Sequence, residues 1–335
     1  MSSEPLLEHG GALRRAARQY DIPLANWLDL STGINPHGWP VPSLPAQCWQ
    51  RLPEPDDGLE EAARQYYRSE YLLPVAGSQA AIQALPQLRA PCRVGLWQPS
   101  YAEHAAAWQG AGHDCMPLQS VDAINAALSA LDVLLLVNPN NPDGQRFSTV
   151  QLQHWHAELA ARGGWLIIDE AFADPEPQHS LAADTGQPGL IVLRSLGKFF
   201  GLAGLRVGFV LAWPVLLYAL QARLGPWTVS GPAREVACLA LSDRPWQQQM
   251  RIELPQQAQR LAELLGRHGL APQGGTALFQ YCPTPQAATI HQALARQGIL
   301  LRLFDETPAL RLGLPATAQQ WQRLEQGLAG GMSKE

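Results

Sequence analysis

The chain has 335 residues, of which 46% are hydrophobic and 16% charged, and its formal net charge is −5. That is enough apolar material for one large and one smaller lobe, and it excludes a disordered or fibrous polymer. The acidic balance, with no basic run, gives no electrostatic basis for binding nucleic acid or an anionic membrane surface.

Met1 to Glu8 carries acidic residues and no apolar core, so a signal peptide is not expected there. Thr32 to Pro45 is rich in proline and glycine and reads as a loop. Asp57 predicts an N-cap, with Glu60 at capping-box spacing and a helix running to about Tyr71. A helix follows over Ser78 to Leu88, a strand over Val94 to Trp97 and a helix from about Ser100 to Gln109. Val133 to Val137 is an unbroken apolar run, the pattern of a strand covered on both faces. Next come a helix from Thr149 to Ala161 and strands over Trp165 to Ile168, Leu190 to Leu193 and Arg206 to Leu211. Apolar strands alternating with helices predict a mostly parallel sheet between helices. The longest apolar stretch, Val207 to Leu220, contains Pro214 and is too short to span a bilayer.

Beyond Trp213 the pattern changes. Helical stretches run from Pro214 to His268, followed by a smaller α+β unit. Its strands are expected near Leu278 to Tyr281, Ile299 to Leu303 and Leu310 to Leu312, with helices over Gln286 to Gln297 and Ala316 to Leu328. The expected division is an N-terminal segment, 1–35, joining the small domain, a large domain over 36–230, and a small C-terminal domain over 231–335. The five cysteines show neither metal-ligand nor redox spacing, which suits reduced thiols in the cytoplasm, and no metal is expected.

Ligands of an open parallel sheet sit at the carboxyl ends of its strands. Asp169 ends one apolar run, and Arg194 and Ser195 end another, with Lys198 just beyond. Val133 to Val137 leads into Asn138, Pro139, Asn140, Asn141 and Pro142. This set suits pyridoxal 5′-phosphate (PLP). Its aldehyde needs an amine, its ring nitrogen an acid, and its phosphate a cradle. Gly77, Ser78 and Gln79, at a predicted helix start, offer backbone N–H groups for the phosphate, and Ser195 and Arg206 offer further donors.

With those residues in view, the chain resembles the fold-type I, class I/II aminotransferase superfamily. Ser195 to Gly208, S-L-G-K-F-F-G-L-A-G-L-R-V-G, looks like its lysine signature. Asn138 to Gly144 resembles its asparagine loop, and Ile167 to Phe172 its aspartate strand. The resemblance implies that Lys198 joins the cofactor's aldehyde, Asp169 pairs with its ring nitrogen, Asn141 bonds its 3-oxygen and Tyr101 stacks on its ring. It also implies that Gly77, Ser78, Gln79, Ser195 and Arg206 hold the phosphate, and that Arg311, in L-R-L-G-L, binds the substrate carboxylate with Arg302 as a second candidate.

Within the superfamily, His9 to Gly11 and Ser31 to Pro36 resemble the branch of cobalamin-pathway threonine-phosphate decarboxylases, near the histidinol-phosphate aminotransferases. By that resemblance His9 and Asn35 face the substrate's phosphate or carboxylate. The implied reaction is decarboxylation of L-threonine O-3-phosphate to 1-amino-2-propanol phosphate. Transamination of a histidinol-phosphate-type substrate is an open alternative. So is a weakly active PLP-binding subunit of a cobalamin-assembly complex with a partner protein. The chain departs from the aminotransferase pattern at Phe172, where a tyrosine is usual, at Gly197, where a serine or threonine is usual, and at Leu52, where relatives offer a tyrosine to the partner subunit. A homodimer is still implied.

Overall fold

The computed structural model describes residues 7 and 9–331. The signal-peptide expectation for Met1 to Glu8 therefore lies outside the described residues, Leu7 apart. Two compact units form. One holds the described residues up to His37, Pro142–Gly144 and everything from Ile252 on; the other holds Gly38–Asn141 and Gln145–Arg251.

The larger unit is built on seven strands: β1 (Leu72–Val75), β2 (Arg93–Trp97), β3 (Asp114–Leu118), β4 (Val133–Val137), β5 (Trp165–Asp169), β6 (Leu190–Ser195) and β7 (Gly208–Leu211). Their order across the sheet is β1-β7-β6-β5-β4-β2-β3. The strands from β6 across to β3 run parallel, whereas β7 is antiparallel to both β6 and β1. Val94, Leu96, Val133, Leu135, Ile167, Ile191, Leu193 and Val210 alternate along their strands, so they share one face. There they pack with Ile82, Leu85, Trp108, Leu216 and Leu220 from the covering helices. The intervening Leu134, Leu136, Leu166, Ile168 and Val192 are buried too, because the opposite face is also covered. Each such side chain contributes about 1.5–3 kcal/mol, so the sheet centre is rigid and its strand ends are fixed supports.

Several expected boundaries move. The helix after Asp57 spans only Leu59–Tyr67 and stops at Arg68, whose φ is 55°. Its N-cap is Gly58, with no side-chain cap. Asp57 accepts from the Leu59 N–H at 3.2 Å, but Asp57 and Glu60 are otherwise held by the Arg234 guanidinium, at 2.7 and 2.6 Å from its Nη2. An ion pair has replaced the expected capping box. That contact ties the helix Gly231–Ser242 to the larger unit, which runs on through Arg251. The expected strand from Arg206 begins instead at Gly208, because Arg206 adopts a left-handed turn with φ 57°.

In the smaller unit, Leu28–Asp29 pairs in parallel with Ile299–Leu300. A separate antiparallel sheet runs Arg302–Phe304, Ala309–Gly313, Phe279–Pro283, Gly274–Thr276. The single strand expected over Ile299 to Leu303 thus divides at Leu301 and serves two sheets. Among the described residues, no helix is long and apolar enough to cross a membrane.

Candidate active site

Within the larger unit, the predicted residues gather at the carboxyl ends of β2, β4, β5 and β6. The backbone O of Asp169 accepts from the Asn138 N–H at 2.9 Å, which clamps the asparagine loop to the end of β5. Phe147 closes that loop by donating its N–H to Asn138 Oδ1 at 2.9 Å. The Ser100 hydroxyl donates to Asn140 Oδ1 at 2.7 Å, so the loops bearing Tyr101 and Asn141 are tied together.

The Asp169 carboxylate is buried, and its Oδ1 accepts from the Ala171 N–H at 3.0 Å. Its Oδ2 lies 2.9 Å from Nε2 of His104, itself buried. The sequence reading missed His104. The available signal was its place three residues after Tyr101 at a helix start, a spacing that puts both on one helix face. Their ring centroids are 6.0 Å apart. A carboxylate flanked by an imidazole and an amide is held in one orientation, ready to accept from a protonated ring nitrogen.

Lys198 stands in the loop after β6, its Nζ 5.3 Å from the centre of the Phe172 ring. The loop is closed by the Leu196 N–H donating to Val207 O at 3.1 Å and the Leu202 N–H to Leu196 O at 3.2 Å. The Gly197 N–H donates to Ser195 Oγ at 3.2 Å, so part of the serine's capacity is used within the loop.

The turn predicted to cradle the phosphate depends on two glycines. Gly77, with φ 72° and ψ 158°, precedes the helix Ser78–Ala84. An added Cβ there would meet Arg206 Nη2 at 2.6 Å. A Cβ on Gly208 would meet the Ser78 N at 2.6 Å, so its absence lets the Gly77–Ser78 turn lie against β7. Arg206 also donates to Ala203 O at 3.1 Å and is exposed. The Gln79 side chain is engaged, donating to Glu103 at 2.6 Å and accepting from the Tyr101 hydroxyl at 3.4 Å. Only the first-turn N–H of Gln79 is left for an anion, as helix geometry provides. Burial, with the charges of Glu103 and Asp169, pushes the Tyr101 phenol up to about 12, while Arg206 opposes them. Tyr101 is therefore a neutral ring at any ordinary pH.

The smaller unit carries a second set. Arg302 and Arg311 are directly paired across neighbouring strands, on one face. Arg311 is buried, donates from Nη2 to Ser31 O at 2.9 Å, and lies 5.2 Å from the Phe279 ring centre. Burial and the charge of Arg302 bring its pKa down to about 10. Like charges opposite one another destabilise a sheet, so this pair is suited to an anion. The two N-terminal motifs meet here, because the Gly11 N–H donates to Ser31 Oγ at 2.7 Å. Asn35 is buried and accepts from the His37 N–H at 2.8 Å, while His9 is exposed.

A seven-stranded, mostly parallel sheet with a lysine, a buried carboxylate and a glycine cradle at its strand ends defines a class. The family model for aminotransferase class I and II matches residues 46–325, and the chain belongs to that family, whose enzymes use PLP. The chain is 58% identical over 325 residues to the threonine-phosphate decarboxylase of Pseudomonas aeruginosa, covering 97% of this chain and 98% of the relative. It is 41% identical to a threonine-phosphate decarboxylase of a Sinorhizobium species, covering 98% of each. Its fold matches histidinol-phosphate aminotransferase of Sinorhizobium meliloti, solved in complex with pyridoxal-5′-phosphate, with a TM-score of 0.84 at 18% identity over 99% of this chain and 98% of that one.

Gly77→Ala tests the cradle. Its φ/ψ region is one that essentially only glycine occupies, and the strain of about 1–3 kcal/mol, if the apoprotein turn relaxes it, corresponds to roughly 5- to 150-fold in affinity. Titration of apoprotein with PLP, followed by absorbance, should show that loss. An unchanged Kd would mean that the turn does not hold the phosphate.

Proposed function

We propose that this protein is a PLP-dependent decarboxylase that converts L-threonine O-3-phosphate to 1-amino-2-propanol phosphate in cobalamin biosynthesis. The observation that carries the reading is the near-full-length likeness to two threonine-phosphate decarboxylases. It extends over the lysine-bearing unit and the arginine-bearing unit alike.

The residues fit the cofactor. Gly77 and Gly208, with no Cβ, let the Gly77–Ser78 turn approach Arg206 and β7 closely, and the buried Asp169 carboxylate suits a protonated ring nitrogen. Lys198 would supply the amine for the aldehyde, Asp169 the ring-nitrogen partner, Asn141 the donor to the 3-oxygen and Tyr101 the stacking ring. Gly77, Ser78, Gln79, Ser195 and Arg206 would hold the phosphate. When bound, PLP supplies an electron sink for the pair left on the substrate's Cα.

The remaining work falls to side chains of this chain. Asp169, oriented by His104, keeps a proton on the ring nitrogen. Arg311 takes the substrate carboxylate in a forked contact that a lysine could not reproduce. Arg302, His9 and Asn35 take the substrate's other anionic group. A substrate carrying both a carboxylate and a phosphate answers the pairing of Arg302 with Arg311 better than one with a phosphate alone. Lys198, once its amine is released, stands to return a proton to Cα after CO₂ leaves. Phe172 offers no hydroxyl where aminotransferases commonly place a tyrosine.

Exposed Trp49, Leu52 and Trp227 in the larger unit support a homodimer, and five free cysteines suit the cytoplasm. The test is incubation of PLP-loaded protein with L-threonine O-3-phosphate and no keto acid. CO₂ and 1-amino-2-propanol phosphate should appear in equal amounts. Turnover that begins only on adding a keto acid would replace this reading with a histidinol-phosphate-type aminotransferase. Bound cofactor with no turnover under either condition would favour a weakly active subunit of a cobalamin-assembly complex.

A further inference from the structure

The larger unit contains a cavity of about 640 Å³, and none of the candidate active-site residues lines it. It lies on the other side of the sheet. Arg194 and Ser195 are successive residues of β6, so their side chains leave opposite faces, and it is Arg194 that lines the cavity.

Four arginines line it, Arg68, Arg194, Arg244 and Arg251, and no aspartate or glutamate does. Arg194 pairs with two carboxylates, Glu170 and Asp174, at 2.6 and 2.5 Å. Arg68, Arg244 and Arg251 form no ion pair among the described residues. Arg251 is nevertheless held in place: it donates from Nε to the Asp174 backbone O at 3.0 Å and from Nη2 to the Tyr66 hydroxyl at 3.1 Å. Its guanidinium also lies 5.6 Å from the ring centres of Tyr66 and Phe199. Arg244 stands in the first turn of the helix Arg244–Arg267, whose start is capped by Asp243, its Oδ1 accepting from the Trp246 N–H at 3.1 Å.

We propose that this cavity binds a small phosphorylated anion. The four guanidiniums outnumber the three adjoining carboxylates, Glu170, Asp174 and Asp243, so the cavity keeps a positive surplus. Their forked donors suit phosphoryl oxygens, and the volume falls in the usual range for small-molecule sites. The chain's net charge of −5 makes the concentration of positive charge here a local feature rather than a general surface property.

The test is calorimetric titration of the PLP-loaded protein with inorganic pyrophosphate at low salt. One site per chain is expected, weakening as KCl is raised. The double variant Arg68→Gln/Arg244→Gln should weaken binding at least tenfold. Both residues are exposed, so its thermal melt should match the parent, and Arg68→Gln alone should give an intermediate loss. Arg302→Gln, in the other unit, should leave the titration unchanged. The proposal is overturned by no binding to the parent protein, by an unchanged Kd in the double variant, or by loss of binding in Arg302→Gln. The last result would place pyrophosphate among the substrate-binding residues instead.

Discussion

Replacing Lys198 by alanine should abolish decarboxylation, with a loss of at least roughly 10³-fold in kcat. In the proposed role Lys198 both forms the covalent link and moves a proton, so its removal would forfeit two contributions, of which proton transfer alone is worth about 10²–10⁴. The fold should survive the change. The lysine loop is held by backbone bonds, Leu196 to Val207, Leu202 to Leu196, and Gly201 to the Lys198 carbonyl at 3.1 Å, and none uses the lysine side chain. The variant should therefore melt near the parent, yet release PLP on gel filtration and lose the visible absorbance of the attached cofactor. Turnover within tenfold of the parent would sink the assignment of Lys198. Asp169→Asn gives a separable outcome: it should retain the covalent attachment while losing turnover, because the amide cannot hold the ring-nitrogen proton as a carboxylate does.

Contiguous motifs made most of the larger unit legible. The strands Val133–Val137 and Trp165–Asp169 are apolar throughout because both sheet faces are covered, and each leads directly into a chemically distinctive loop. The two strands that escaped prediction, β1 and β3, contain Pro74 and Pro117 and lie at the two edges of the sheet. Proline is tolerated there because an edge strand has no neighbour on one side, but it masks the strand pattern in sequence. His104 was missed for a different reason. A lone histidine within a helix carries no sign of its partner, and Asp169 lies 65 residues away. The position of Arg206 shows the same limit. Its motif was readable, whereas its left-handed backbone, with φ 57°, is one that an arginine in sequence does not announce.

Distance along the chain also hid the charged network beneath the strand ends, where the largest stability effect is expected. Arg194 is 2% exposed, Glu170 and Asp174 are both fully buried, and the guanidinium sits 4.8 Å from the Tyr67 ring centre. The Ser180 hydroxyl and the Leu181 N–H complete the shell around Glu170, the latter at 2.9 Å. Burial pushes the Glu170 carboxyl up, while Arg194, Ser180 and Leu181 pull it back; the two carboxylates in turn hold Arg194 firmly protonated. Arg194→Ala removes the cation and strands two acids out of water, which should destabilise the protein by about 3–5 kcal/mol. The loss should depend on pH in a definite direction. Without Arg194, the buried carboxyls have folded-state pKa values raised above those of the unfolded chain, so the native state binds more protons and stability falls as pH rises. The deficit should therefore be smaller near pH 5 than near pH 8, read as the urea midpoint of the variant against the parent at each pH. Arg194→Lys keeps the charge but loses the fork that reaches both acids, and should fall between the two. A variant within about 1 kcal/mol of the parent at pH 8 would mean that the pair contributes no more than an exposed one does.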